Sequence, residues 1–154
     1  MLRVYDGAGR LIVEVEGPWL HPVVWLFSQE ADSVREVLSG DPDARVFDSV
    51  VGTAALGCYR LLGVTRVDAQ LSDSSTVDLA RAWNIALSAE RTVPAIQCNA
   101  EADVAALAEQ NGGLPDPPAV LAMLRRRARA RPVTVSVRFP KPAGADENSG
   151  AAQG

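Results

Sequence analysis

Leu2 and Val4, then Leu11, Val13 and Val15, alternate with polar or mixed neighbours on either side of Asp6-Gly7-Ala8-Gly9. Period-two alternation marks a half-buried strand, and two such runs around a Gly-containing turn predict a β-hairpin. Gly17-Pro18 ends the second strand. Pro22 suits the first turn of a helix, where its missing N–H costs nothing. Val23, Leu26, Phe27, Val34, Val37 and Leu38 extend an apolar helical face to about Ser39. Gly40-Asp41-Pro42-Asp43 is a turn cluster.

The stretch from Asp48 to Gly63 organises the rest. Arg45-Val46-Phe47 reads as a short buried strand. Asp48 then stands where an N-cap would accept the free N–H groups of a first helical turn. Val50, Val51, Ala54, Ala55, Cys58, Leu61 and Leu62 recur at helical spacing, and Gly63 supplies a left-handed stop. Val67, Ala69 and Leu71 alternate with Arg66, Asp68 and Gln70, a further strand. Ser72 or Asp73 caps a helix bearing Val77, Leu79, Ala80 and Trp83. Ile85 to Ala89 forms another short strand, and Val93 to Gln97 a separate extended piece.

Ala100 to Gln110 is a helix burying Val104 and Leu107, stopped by Gly112-Gly113. Asp116-Pro117 opens a last helix with Val120, Leu121 and Leu124 inward. Val133, Val135, Val137 and Phe139 alternate cleanly as a strand. Strand and helix alternating after an opening hairpin predict a three-layer α/β/α sandwich with a mixed sheet. Residues 1–139 are expected to form one domain. Residues 140–154 are Pro, Ala, Gly and polar, a disordered tail.

Charge and composition then narrow the classes. A net charge of −4 over 154 residues argues against wholesale nucleic-acid binding. Met1-Leu2-Arg3 runs straight into a strand without a signal pattern. No apolar run nears the ~20 residues of a membrane span. Two cysteines, one of them on a helical apolar stripe, fit a reducing compartment. The expectation is a cytoplasmic protein without a membrane partner.

Several residue sets resemble a known family. Asp48-Ser49-Val50-Val51-Gly52-Thr53-Ala54-Ala55 resembles the DKVVGKAAA signature of the DUF1893 (TM1506-like) family. Leu62-Gly63-Val64 is similar to that family's LGGV. Val93-Pro94-Ala95-Ile96-Gln97-Cys98-Asn99 is similar to its VPYIINR. The likeness covers about residues 46 to 99, is weaker over the first 40 and stops after Asn99. It implies a cytidine deaminase-like fold of uncharacterised activity, lacking the deaminases' zinc motifs. Two departures stand out. Thr53 replaces the signature lysine, and Ala100-Glu101-Ala102-Asp103 replaces a cysteine motif.

The fold so implied invites a test for zinc deamination, which needs three His or Cys ligands and a proton-shuttling Glu in H-x-E and P-C-x-x-C spacing. His21 is the single histidine and precedes Pro22-Val23, and neither Cys58 nor Cys98 lies in a C-x-x-C. No metal and no cofactor are expected, and no catalytic residue is assigned. The candidate ligand-binding residues are Asp48, Ser49, Gly52, Thr53 and Cys98. Asp48 is read as a helix cap, with or without a ligand contact at the strand's carboxyl end. Gly52 either lets helix pack on sheet or admits a ligand. The Thr53 hydroxyl serves a ligand or its own backbone. Cys98 is reactive only beside a cation or a helix N-terminus. The arginine run Arg125 to Arg131 has no interleaved aromatics for base stacking and reads as a solvated helix end.

Three functions follow, in order of preference. The first is a zinc-free, non-catalytic domain binding a small, nucleotide-like ligand in a regulatory role. The second is a metal-independent enzyme using Asp48 and a thiol. The third is an oligomeric interaction module.

Overall fold

The structure is a computed structural model describing residues 1–17, 20–26, 34, 36, 38 and 40–127, and the backbone of 134–137. The opening hairpin is β1 (Leu2–Tyr5) and β2 (Leu11–Glu16), with Leu2 opposite Val15 and Val4 opposite Val13. In its turn, the Asp6 carboxylate accepts the Ala8 and Arg10 amides at 3.0 and 2.9 Å. A short helix, α1 (His21–Trp25), starts on Pro22 as predicted. Val34 and Leu38 are helical and buried; Phe27, Val37 and Ser39 lie outside the described residues.

The strand β3 (Arg45–Val51) is longer than the sequence suggested, which corrects the boundary at Asp48. Val50 and Val51 extend the strand rather than open the helix. Adjacent β-branched residues favour extended backbone. The whole run also finds a parallel partner in β4 (Arg66–Asp73), with Val46 beside Val67 and Val51 beside Ser72. The Ser72 hydroxyl donates to the Val51 carbonyl at 2.7 Å, closing the strand's end.

Next comes α2 (Thr53–Leu61), whose N-cap is Gly52 and which stops at Gly63 with φ of +79°. Asp73 caps α3 (Ser74–Ala82), one of the two positions predicted. A single strand, β5 (Ala86–Val93), replaces the two extended pieces expected there. Then follow α4 (Asn99–Gln110), α5 (Pro117–Arg127) and β6 (Thr134–Val137). Residues 138–154, including the expected tail, fall outside the described residues.

The strands form one mixed, open sheet in the order β5-β4-β3-β1-β2-β6. The β3-β4-β5 half is parallel and the other pairings are antiparallel. This is the α/β architecture the sequence predicts. Parallel crossovers are right-handed in nearly all proteins, so α2 and α3, which touch each other, cover the same face. That face carries Leu2, Val4, Val13, Val15, Val46, Val67 and Ala69, all buried. Both α4 and α5 touch α2, with Val120 of α5 beside Gly57, and Val104, Val120 and Leu124 are buried in the same core. Of the two helical layers in a three-layer arrangement, the described residues supply the one on this face. The opposite face holds cross-strand ion pairs, Arg3–Glu14 at 2.6 Å and Arg45–Asp68 at 3.5 Å. Such solvent-facing pairs add little to stability.

Candidate functional site

Each parallel strand ends at the same edge and hands over to a helix: β3 to α2, β4 to α3, and β5 through residues 94–98 to α4. In α/β sheets this edge, outside the strands' carboxyl ends, is where ligands gather. Three carboxylates stand there, and each is held in a different way.

Asp48 points to the helical face from the middle of β3 and is only 5% exposed. It is not a helix cap. Tyr59, one and a half turns into α2 and fully buried, donates its hydroxyl to the Asp48 carboxylate. Burial pushes Asp48 up from an ordinary 3.8 to about 7, against the opposing pull of the Tyr59 hydroxyl, the Met1 amine and the Val50 and Ser49 amides. A carboxyl group in that range can take up or release a proton near neutrality. Burial, and then the neighbouring Asp48, raise Tyr59 well above its usual range.

Glu101 reaches from the first turn of α4 to the start of α2. Its Oε2 accepts the Thr53 hydroxyl at 2.6 Å and the Ala54 amide at 3.4 Å. Gly52 itself makes no side-chain cap, so Glu101 caps α2 from another helix. This also accounts for the glycine. Gly52 precedes the helix with φ of −100°, which any residue can adopt. A Cβ there would instead run into the Glu101 carboxylate. The close neighbour that requires a glycine here is thus the Glu101 side chain. Burial raises Glu101 above the usual carboxylate range, with the Thr53 and Ala54 bonds pulling it down and Asp73 adding repulsion.

Asp73 ties α3 to the segment after β5. Oδ1 accepts the Thr76 amide at 2.8 Å, the Thr76 hydroxyl at 2.6 Å and the Ser75 hydroxyl at 3.1 Å. Oδ2 accepts the Ile96 amide at 3.1 Å. Burial works to raise Asp73, but these bonds prevail and hold it below the ordinary value. The tether sets Cys98, the residue before α4, against the other two strand ends.

Two cavities open between these groups. The inner one, about 250 Å³, is bordered by Met1, Asp48, Ser49, Gly52, Ile96, Cys98 and Glu101 among others. The outer one, about 810 Å³, lies along α3 and α4 and is bordered by Thr53, Asp73, Leu79, Val104 and Ala108. Both include Ile96, Cys98 and Glu101. Four of the five residues singled out from the sequence, Asp48, Ser49, Gly52 and Cys98, therefore border the inner cavity. Thr53 borders the outer one and gives its hydroxyl to Glu101. Sequence reasoning missed Glu101, Tyr59 and Asp73 as parts of this site. Tyr59 reads as one more helical residue, and Glu101 lies in the segment that departs from the family pattern. The only local hint was a glycine where a helix begins.

The resemblance noted in the sequence raises the question of zinc. Among the described residues, no three His, Cys, Asp or Glu side chains are placed to hold a metal ion. Cys58 is sealed in the core, and burial pushes its thiol up to about 12, so it stays protonated. The donor set does not fit a deaminase zinc, and no step is derived through one. Nor is any described helix long and apolar enough to cross a membrane.

No protein-family model and no curated protein sequence matches this chain. Among solved structures, it is similar to a DUF1893 family protein (TM1506) from Thermotoga maritima, with a TM-score of 0.58 and 19% identity. The match covers 82% of this chain and 79% of that one. At that identity the likeness is one of fold. It agrees with the family resemblance carried by residues 46 to 99.

Proposed function

We propose that this protein binds a small molecule at the carboxyl ends of β3, β4 and β5, and that binding rather than turnover is its role. One observation carries the reading: a nearly buried carboxylate, Asp48, borders a cavity that adjoins a larger one. Burying a carboxyl group away from water costs stability unless something compensates. The Tyr59 hydroxyl and the Ser49 and Val50 amides offset part of that cost, and a ligand donor reaching Asp48 from the cavity would add to them. The outer cavity falls in the range of roughly 300–1,000 Å³ typical of ligand sites, a size that suits the nucleotide-like expectation. A regulatory role is consistent with a site whose helix ends are already tied to one another through Glu101 and Asp73.

A metal-independent enzyme is the second reading. It is favoured by Asp48 and Cys98 bordering the same inner cavity. An acid near neutrality beside a thiol is a workable pair for proton transfer and nucleophilic attack.

The two readings share a first experiment. A metabolite panel is screened by thermal shift against the wild-type chain and Asp48→Asn. The binding reading expects at least one compound to stabilise the wild type and lose most of that effect in the variant. Chemical change of that compound on incubation, absent in Cys98→Ala, would favour the enzyme instead. If no compound stabilises the wild type, the site reading fails.

A further inference from the structure

The two cavities adjoin, with Ile96, Cys98 and Glu101 bordering both. The chemistry along that path has one sign. Asp48 and Glu101 border the inner cavity; Asp73, Glu101 and Glu109 border the outer one. Among the described residues, no Lys, Arg or His side chain borders either.

The positive contributions nearby are the Met1 amine, which acts on Asp48, and the N-termini of α2, α3 and α4. A helix end carries only about half a charge. The ends of α2 and α3 are already met by Glu101 and Asp73. A phosphate placed here would face the Asp48 and Glu101 carboxylates, with the Met1 amine as the one cationic group bordering the inner cavity among the described residues. Charge-assisted bonds to a carboxylate, by contrast, are the strong kind a cationic donor makes. Beyond its carboxylates the outer cavity is mostly apolar, with Leu79, Val104, Ala105 and Ala108, and carries uncharged polar groups at Ser75, Gln97 and Asn99.

Resting on the ligand-binding reading above, we infer that the ligand is an organic cation. A protonated amine or amidine sits between Asp48 and Glu101 in the inner cavity. Its uncharged body passes Ile96 and Cys98 into the outer groove. Asp73 takes no direct part, because both its oxygens are occupied by Ser75, Thr76 and Ile96. The site thus selects for positive charge at one end of the molecule and for apolar surface at the other. Phosphate-bearing ligands are disfavoured, which narrows the nucleotide-like reading above to unphosphorylated molecules that carry a cationic group.

The test uses matched sets on the full chain at pH 8 and low salt. Hexylamine is compared with hexanol and hexyl phosphate, and benzamidine and benzylamine with benzyl alcohol and benzoate, by calorimetry and thermal shift. At least one amine or amidine should bind tenfold or more tightly than its neutral twin, and the anionic twins should not bind. Glu101→Gln keeps an oxygen to accept from Thr53 and Ala54 while losing the charge. It should weaken the cation about tenfold and leave the neutral twin unchanged. Asp48→Asn should act in the same direction and stands in if Glu101→Gln fails to fold. An anionic twin, or a hit from the metabolite panel bearing a phosphate, binding as tightly as the cations would overturn the inference and leave the pocket standing. Cations that fail while neutral compounds bind would overturn it equally. If neither these sets nor the panel yields any binder, the inference and the binding reading fall together.

Discussion

Replacing Asp48 by Asn should make the protein more stable at and above neutrality, with a gain that grows as pH rises to about 7 and then levels off. The wild type keeps Asp48 at about 7 in the folded state against 3.8 when unfolded. The folded state therefore holds a proton between those values that the unfolded state has lost. By linkage, stability falls as pH rises through this window, at up to about 1.4 kcal/mol per pH unit. The stability present below 3.8 is lost by the time pH passes about 7, a ceiling of about 4 kcal/mol. Asn carries no charge and offers the Tyr59 hydroxyl the same acceptor, so its curve lacks this fall. Other groups titrate nearby. Glu101, also raised, adds a slope of the same sign, and the Tyr59 hydroxyl bonds to Asp48 directly. Because both proteins retain those groups, the difference between them isolates Asp48. Urea unfolding followed by Trp fluorescence at half-unit steps from pH 5 to 8.5 measures it. The Asn variant should gain on wild type across this range, by about 1–4 kcal/mol at pH 8. A constant difference over the whole range, or a variant less stable than wild type at pH 8, would refute the reasoning.

Three further perturbations probe the surrounding frame. Gly52→Ala should push Glu101 off Thr53 and Ala54 and cost about 1 kcal/mol, the worth of a helix cap; adding Glu101→Ala should cost little more, so additive losses in chemical denaturation would contradict the coupling. Asp73→Ala should cost about 1–2 kcal/mol through its cap alone. Asp73 is held below its ordinary value, so that contribution is present above pH 3.8 and fades as pH falls through the lower folded value; a wild type and variant that converge at neutral pH instead would show otherwise. A thiol reagent added to the native protein should modify Cys98 and spare Cys58, which is sealed in the core; prompt reaction of both would mean that the core opens readily.

The fold was legible where periodicity was clean. The hairpin, the strand at Val67 to Leu71, the cap at Asp73 and the stop at Gly63 follow from local rules that nothing in the tertiary structure opposes. The boundary at Asp48 was not legible, for a physical reason. An acidic residue ahead of small and apolar residues looks like a cap. Whether the backbone stays extended there depends on β4 pairing alongside and on Tyr59 arriving from the next helix. Neither contact is local in sequence. Part of the candidate site was legible, though the residues drew notice for reasons other than their structural roles. Asp48 drew notice as a cap and belongs to the site as a buried acid. Gly52 drew notice as a helix breaker and makes room for Glu101, 49 positions on in the chain. Glu101 itself sits on the exposed-looking side of an Ala- and Glu-rich helix, where nothing in its neighbours distinguishes it from a solvated charge.

The claim on which the account turns is that the cavities beside Asp48 and Glu101 receive a ligand. Backbone amide NMR of the labelled protein, titrated with the strongest stabiliser from the ligand screens, tests this most directly. The account predicts shifts concentrated at residues 48–54 and 95–102, with those around Gly40–Ala44 and Gly63–Thr65, which border a separate cavity at the other end of the sheet, left in place. Shifts at that opposite end with residues 48–54 unmoved would contradict it.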